Sequence, residues 1–350
     1  KPEPGSPTVE MKRRILFLKP LNYWIVSDYV DTEDPETPKE HKYNQVWHMA
    51  PQANVRMNQS TGMFYSNYGT GANLQIVPAD PETLEKSIAT DGYMGTNNHK
   101  YASYVKRSTD DVTFDTVLFP LREYSEESTT VERLDMGVPT TTASAMKITT
   151  KENMTVMNTG YYYTSYEAQR TNRMFASNET DAKTAFININ KNGDMDYVML
   201  NEGTKLVRNG LELISARAPV SDMSVEWKQG ELAVNSSVSN SAKLGIVQMY
   251  APDENASVTY NGGPVQYNRD GAYIILNPAE PKLTVQSTQN AAVERFAYSI
   301  PVNTGAQMQT VAIRNDNADN ILTVSGGLTG SFQIGQRREN AALGAKAEAS

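Results

Sequence analysis

Residues 14–51 read RILFLKPLNYWIVSDYVDTEDPETPKEHKYNQVWHMAP, and this stretch decides the fold. Residues 15–18 and 23–26 are runs of aliphatic, aromatic and β-branched side chains, a composition that predicts two strands joined at Pro20. Prolines and clustered polar residues at 34–38 predict a loop, because proline cannot donate to a strand ladder. The stretch therefore indicates a β protein.

A third strand is predicted from residue 41, where side chains alternate between two faces. His41, Tyr43 and Trp47 fall on one face and His48 falls on the other, which argues against a metal site shared by the two histidines. His41, Tyr43 and His48 are candidate catalytic residues, and Trp47 and Tyr43 are candidates for stacking on a sugar ring. The alternative is that all of them are half-buried strand residues, with ring nitrogens bonded to the backbone.

The rest of the chain to residue 276 repeats this pattern. Short segments of period two are separated by Gly, Asn, Asp and Pro, and Asn192-Gly193, Asn209-Gly210 and Asn261-Gly262 have the residues of tight hairpin turns. The pattern predicts an all-β fold, a large multi-stranded antiparallel β-sandwich followed by a small β-sandwich-like module. The segment 188–196 superficially resembles a calcium loop, but it lacks the EF-hand spacing and a hairpin explains it.

Composition shifts divide the chain into successive parts. The proline-rich start predicts a linker, the periodic region predicts one sandwich domain, and the segment around Asn277 to Pro281 predicts a second linker. The expected parts are a linker at 1–11, the sandwich at 12–277, a linker at 278–282, an accessory β module at 283–338, and a tail or the start of a further module at 339–350.

Charge and composition exclude several classes of function. The net charge is -8, which argues against nucleic-acid binding because that requires a basic surface. No apolar run approaches the roughly 18 residues of a membrane-spanning helix, so we expect no membrane insertion. Cysteine is absent, so neither a disulfide nor a thiolate metal site can form.

Basic residues are frequent near the start of the chain, and they could meet an anionic polymer if they cluster in space. The alternative is ordinary solvated surface charge. The residues concerned are Arg13, Arg14, Lys19, Lys39 and Lys42.

Several motifs occur in a characteristic order. They are FLKP at 17–20, YWIVSD at 23–28, HKYNQVWHMAP at 41–51, DGY at 91–93, FDTVLFP at 114–120 and the predicted turn NEGT at 201–204. In this order they resemble the C-terminal β-sandwich region of heparinase II/III-like polysaccharide lyases, over residues 12–277. Residues 339–350 resemble the opening strand of discoidin-like (coagulation factor 5/8 type C) modules.

The resemblance implies a bacterial, modular, exported protein, secreted, periplasmic or on the cell surface. It would cleave an acidic polysaccharide of glycosaminoglycan or alginate type by β-elimination. It further implies that this chain supports and lines the substrate cleft. The main catalytic residues, and any metal site, would belong to a helical toroid domain and a His-x-His-x-Asp segment upstream of Lys1. No cofactor is expected within the chain itself.

A tyrosine-rich strand is the last candidate for sugar binding. Alternation places Tyr161 and Tyr163 on one face, where they could form a platform, although a packed sheet face explains them equally well. If the upstream catalytic residues do not exist, the alternative function is a non-catalytic carbohydrate-binding or structural sandwich of a cell-surface protein.

Overall fold

The structure is a computed structural model, and it describes residues 8–33, 39–50, 54–68, 71–91, 99–121 and 127–277, together with four short strands between residues 284 and 343. The chain forms two compact units, Lys1–Ile274 and Ile275–Ser350. Among the described residues the secondary structure is β-strand with a few short 3-10 turns.

The first part of the chain, up to residue 121, forms nine of the described strands. They are β1 (Thr8–Leu18), β2 (Tyr23–Glu33), β3 (His41–His48), β4 (Asn54–Met57), β5 (Phe64–Asn67), β6 (Asn73–Pro78), β7 (Glu85–Asp91), β8 (His99–Ser108) and β9 (Val112–Leu121). The 3-10 turn Lys19–Leu21 joins β1 to β2, as the position of Pro20 predicts.

The second part forms the strands of one large sheet. They are β10 (Glu127–Leu134), β11 (Ala143–Glu152), β12 (Thr155–Ser165), β13 (Arg173–Phe175), β14 (Asn178–Thr180), β15 (Thr184–Asn190), β16 (Met195–Arg208), β17 (Leu211–Lys228), β18 (Glu231–Asn235), β19 (Val247–Tyr250), β20 (Ser257–Tyr260), β21 (Gly263–Pro264), β22 (Tyr267–Asp270) and β23 (Tyr273–Leu276).

Two sheets from the first part lie face to face. The central sheet has the order β1-β2-β9-β6-β5-β4, and the outer sheet has the order β3-β8-β7. Alternate residues of β9 point to opposite sides: Phe114 joins a core with Tyr43 and Tyr104 of the outer sheet, whereas Val117 joins a core with residues of the large sheet. The central sheet is therefore buried on both faces over most of its width.

The large sheet, here called the bent sheet, has 14 strands. Its strand β16 pairs with β15 up to Asn201 and with β14 from Leu206, and the two halves are separated by a β-bulge. Beyond the bulge, Arg208 lies over the ring of Tyr161, with 4.5 Å between the guanidinium carbon and the ring centroid. The far half of the sheet thus folds back over the near half and forms a fourth layer.

The all-β sandwich predicted from periodicity is confirmed. Antiparallel pairs build the sheets, for example β1 with β2, β3 with β8 and β16 with β17, whereas β18 and β20 run parallel. The predicted hairpins at Asn209-Gly210 and Asn261-Gly262 are present, and both asparagines have the positive φ that the turn requires. A hairpin at Asn192-Gly193 also joins β15 to β16, but there only the glycine has a positive φ (88°).

Two sequence-based boundaries need correction. The predicted turn at 201–204 lies inside β16, where Glu202 (φ 50°) and the bulge bend the strand instead of reversing it. Glycine is needed at position 203 because a Cβ there would lie only 2.6 Å from the Cβ of Ala182, which is too close for two carbon atoms. The end of the predicted linker at 1–11 belongs to β1, because Val9 and Met11 continue the ladder with β2.

In the second unit, β24 (Thr284–Thr288) pairs with β26 (Ile321–Ser325), and β25 (Ile313–Arg314) pairs with β27 (Ala342–Leu343). The predicted linker at 278–282 lies outside the described residues. So do most of the predicted accessory module at 283–338 and most of the discoidin-like tail at 339–350.

The turn between β11 and β12 offers a route to higher stability. Asn153 (φ 48°) and Met154 (φ 67°) both have left-handed backbone, which asparagine tolerates and methionine does not. Met154 is 86 % exposed, so its side chain contributes little packing. We expect Met154→Gly to raise the free energy of unfolding by about 1 kcal/mol, measured by urea denaturation.

Met174 provides the matched control, because it is also an exposed methionine (66 %) but lies in β13 without a positive φ. Met174→Gly should lower stability by roughly 0.5–1 kcal/mol. A loss of stability in Met154→Gly would contradict the assignment of strain to this turn.

Candidate functional site

The central sheet is covered only in part on the face that carries the outer sheet. The Gln45 amide of β3 donates to Asp28 Oδ2 (2.9 Å), and the Thr116 hydroxyl donates to Gln45 Oε1 (2.8 Å), so β3 lies over β2 and β9. Four apolar side chains of β1 are left exposed on this face. They are Val9 (55 %), Met11 (54 %), Ile15 (64 %) and Phe17 (43 %). With Arg13 and Trp24 they form what we call the β1 shelf.

Aromatic rings occupy one end of the shelf and its wall. Phe17 and Trp24 are directly opposite each other in the β1–β2 ladder and stack with ring centroids 4.6 Å apart. Trp47 of β3 is half-buried beside the shelf, and its indole N–H donates to Gln45 Oε1 (3.2 Å). The hydrogen bond fixes the Trp47 ring, so the shelf has a rigid aromatic wall.

Arg13 lies between the exposed apolar side chains of β1 and the Trp47 wall. Its guanidinium carbon is 5.9 Å from the Trp47 ring centroid, and its Nε and Nη2 donate to the two oxygens of Asp28 at 2.6 and 2.7 Å. The hydrogen bond to Asp28 raises the pKa of Arg13, so the cation is permanent. The Arg13 side chain remains 41 % exposed, which leaves guanidinium surface that can meet a second anion.

The three candidate catalytic residues do not converge on the shelf. Tyr43 is buried (8 % exposed), and its hydroxyl donates to the Asp110 carbonyl at 3.4 Å. His41 is half-buried with its ring 6.2 Å from the Tyr43 ring, whereas His48 is exposed and lies 5.5 Å from Tyr101. The histidines thus follow the alternation of β3, and Tyr43 is packed in the core instead of being available to a sugar.

Tyr161 and Tyr163, the predicted sugar platform, are also packed against other side chains. Tyr163 is fully buried and stacks on Phe175 with centroids 5.3 Å apart, and Tyr161 is covered by Arg208. Both rings face the interior of the bent sheet, where its far half covers them. Of the four residues proposed for sugar binding, Trp47 alone borders an open surface.

The basic residues of the first strands separate in space. Arg13 faces the shelf, but its neighbour Arg14 faces the bent sheet, where it donates to Thr164 (2.5 Å) and lies over the ring of Tyr166. Lys19, Lys39 and Lys42 are also exposed. Of the five basic residues, Arg13 is the one whose contacts with Trp47 and Asp28 hold it at the shelf.

A buried ionic network lies between the central and bent sheets. Asp115 (3 % exposed) accepts hydrogen bonds from Ser27 (2.5 Å), Ser144 (2.6 Å) and Arg133 (2.7 Å). Arg133 also forms a bidentate pair with Asp80, with Nη2 2.5 Å from Oδ2. Burial by itself would raise the pKa of Asp115, but Arg133 and the two hydroxyls outweigh burial and lower it.

This network resembles a catalytic constellation in composition, but substrate cannot reach it. The Tyr162 hydroxyl, 3.2 Å from the Ser27 hydroxyl, is buried in the core between the sheets, and burial raises the pKa of Tyr162 to about 12. A base needs a titration range near the working pH and access to its proton donor. We therefore assign the network to the cohesion of the two sheets.

Phe17 and Trp24 were not predicted as site residues, and Arg13 was named only as one of five basic residues that could meet an anionic polymer. The signal was available, since two strands joined at Pro20 bring Phe17 and Trp24 together across the hairpin. The sequence does not show that the outer sheet ends before it covers β1.

No group of three or more His, Asp or Glu side chains suited to a metal ion occurs in the part of the chain that the structure describes. Within the same residues, no helix has the length and apolar character to cross a membrane. Comparison with known protein families and with curated proteins found nothing that matches the chain.

Proposed function

We propose that this chain is the C-terminal β-sandwich portion of a polysaccharide lyase, and that its β1 shelf lines the substrate cleft. The substrate would be a uronic-acid-containing polysaccharide of glycosaminoglycan or alginate type, cleaved by β-elimination. The observation that carries the proposal is the combination of stacked Phe17 and Trp24, the fixed Trp47 and the exposed Arg13 on one open face.

Each part of the shelf fits a feature of such a polymer. The apolar C–H face of a sugar ring packs on an aromatic plane, as offered by Phe17, Trp24 and Trp47. The planar guanidinium of Arg13 suits a carboxylate, and its bond to Asp28 holds it in place. A uronate unit lying along β1 could use both contacts at once.

β-Elimination needs a group that neutralises the uronate carboxylate, a base for the C5 proton and an acid for the leaving oxygen. Arg13 can take part in the first of these tasks. In this proposal the base and acid come from the helical toroid domain upstream of Lys1, because Tyr43 is packed and His41 and His48 are divided between two faces of β3. Any metal site belongs to that upstream region as well.

The apolar strip on β1 supports a domain partner. Exposed apolar side chains that form a contiguous strip mark interaction surfaces more often than isolated ones do. Val9, Met11 and Ile15 extend the shelf away from its aromatic end, and in the proposal they pack against the toroid at the rim of the cleft.

The proposed polysaccharide substrate implies a protein outside the cytoplasm, secreted, periplasmic or on the cell surface.

A second candidate is a carbohydrate-binding or structural sandwich without catalysis. The separation of His41, Tyr43 and His48 favours it, since the described residues around the shelf then supply binding groups and no proton-transfer pair.

The test is a lyase assay on a panel of uronic-acid polymers, followed by the ultraviolet absorbance of the unsaturated product. We expect no activity from this chain alone and activity from a protein that includes the upstream segment. In that longer protein, Phe17→Ala and Trp47→Ala should raise KM about tenfold, the effect of roughly 1.4 kcal/mol of lost binding.

Tyr267→Ala serves as the control, because Tyr267 is an exposed aromatic residue (37 %) on β22 of the bent sheet. Activity of the isolated chain would contradict the proposal that the base and acid lie in the upstream domain. His41, Tyr43 and His48 would then be the first residues to substitute. Polymer binding without activity in the longer protein would select the second candidate.

A further inference from the structure

A pocket of about 370 Å³ lies at one end of the bent sheet, away from the residues of the β1 shelf. Four segments that are separated in sequence form it: the β15–β16 turn with Asp194, the start of β17 with Leu211, the β17–β18 hairpin with Trp227 and Lys228, and the segment from Tyr250, the last residue of β19, to Ala256. Its volume is in the range of natural small-ligand sites.

The walls of the pocket are apolar and partly aromatic. Trp227 and Tyr250 line it with Leu211, and the Trp227 indole N–H donates to the Tyr250 carbonyl at 2.9 Å. Tyr250 is further supported by Tyr273, whose ring centroid is 5.9 Å away in an edge-to-face contact. The two aromatic side chains are thus held in place without a ligand.

The rim of the pocket is acidic and partly preorganised. Asp194, Glu231 and Asp253 line it together with one cationic side chain, Lys228. The Thr259 hydroxyl donates to Glu231 Oε1 (2.7 Å), and the Asn255 backbone N–H donates to Asp253 Oδ1 (2.9 Å).

Two cations lie at or near the rim. Lys228 Nζ is 3.1 Å from Glu226 Oε2, so a fourth carboxylate offsets the charge of Lys228. The Arg269 guanidinium donates to the backbone carbonyls of Ala251 and Asp253, each at 3.0 Å, and thereby holds the loop. The carboxylates thus dominate the charge that a ligand meets.

We propose that this pocket binds a pyranose sugar that carries a protonated amine. The aromatic and aliphatic walls suit the C–H face of a pyranose, carboxylate oxygens accept hydrogen bonds from its hydroxyls, and the acidic rim attracts its ammonium group. The same rim repels a uronate. The pocket therefore differs in specificity from the shelf, and the inference does not rest on the proposed function.

The test compares three sugars that share one ring: glucosamine, glucose and glucuronate. Calorimetric titration of the full chain at about pH 6 keeps the amine protonated, since this is below the range of α-amino groups. We expect glucosamine to bind about fivefold more tightly than glucose, the ratio for one partly exposed charge contact of about 1 kcal/mol, and glucuronate to bind more weakly than glucose.

The double variant Asp194→Asn/Glu231→Gln should abolish the preference for glucosamine while glucose binding persists, and it preserves the shape of both side chains. Glu82→Gln, an exposed carboxylate in the 3-10 turn Pro81–Thr83, is the control and should change nothing. Trp227→Phe retains an aromatic wall, and Trp227→Ala should remove the binding of both sugars; near-ultraviolet circular dichroism verifies that each variant folds.

Three results would overturn the proposal. The first is no binding of glucosamine by the unsubstituted chain. The second is an unchanged preference in the double variant. The third is equal affinity for free lysine, which would mean that the pocket responds to a cationic side chain and not to a sugar.

Discussion

Replacing Arg133 with methionine should lower the free energy of unfolding by about 3–5 kcal/mol, the range measured when one partner of a buried ion pair is removed. The Asp115 side chain has no exposed surface, and Arg133 is 16 % exposed, so water cannot replace the lost contacts. Methionine fills much of the arginine stem but leaves the Asp115 carboxylate with only its hydroxyl donors. Urea denaturation followed by tryptophan fluorescence measures the change.

Arg107→Met is the matched control. Arg107 also pairs with a carboxylate, Glu85 at 2.9 Å, but both side chains are about half exposed. Its replacement should change stability by less than about 1 kcal/mol, as for other surface pairs. Equal losses in the two variants would show that burial of the Arg133 network contributes nothing.

The pH dependence gives this prediction a second readout. The pKa of Asp115 is lowered in the folded protein, so its contribution is present at neutral pH and is lost as the pH falls through that lowered pKa. Without Arg133, burial dominates and the pKa of Asp115 rises, so the folded variant takes up a proton more readily than the unfolded chain. The stability deficit of Arg133→Met should therefore narrow between neutral and mildly acidic pH.

Gly160→Ala should lower stability by about 1–3 kcal/mol, the usual cost of overpacking a dense core. A Cβ at this position would lie 2.8 Å from two ring carbons of Phe186 and 2.9 Å from the Tyr23 hydroxyl. Phe186 and Tyr23 are almost fully buried and pack against each other edge to face, so neither ring can move away freely. Thermal and urea denaturation would both register the loss.

Gly263→Ala separates this steric effect from the general effect of replacing a strand glycine. Gly263 also has no positive φ, and the nearest atom to its added Cβ is 3.7 Å away. Alanine there should be neutral or slightly stabilising, because it restricts the unfolded chain. A neutral Gly160→Ala would mean that the contact between the central and bent sheets is looser than the structure has it.

Local patterns predicted the strands and several turns. The alternation from His41 to His48 and the paired positive φ values at Asn209-Gly210 follow from backbone geometry that neighbouring residues determine. The bend inside β16 did not follow, because it depends on the approach of Gly203 to Ala182, which lies 21 positions away in the sequence. A turn motif cannot distinguish a reversed strand from a bent one without that contact.

Site residues were harder to predict because periodicity gives a face but not what covers it. Tyr161 and Tyr163 share a face as expected, but the far half of the bent sheet covers it. Trp47 was predicted from the sequence. Phe17 and Trp24 could be assigned to the site only when the structure showed where the outer sheet ends. The pocket around Trp227 and Tyr250 combines four segments that are separated in the sequence, and no local pattern connects them.

The order of the layers along the chain has a consequence for synthesis on the ribosome. Residues 8–121 supply both the central and outer sheets, and the bent sheet comes entirely from later residues. The nascent chain can therefore complete two sheets while Leu18, Ile25 and Val117 await Met146 and Phe186, their partners in the shared core. During that interval a half-made protein displays an apolar sheet face, and transiently exposed faces of this kind are where aggregation begins and where chaperones bind.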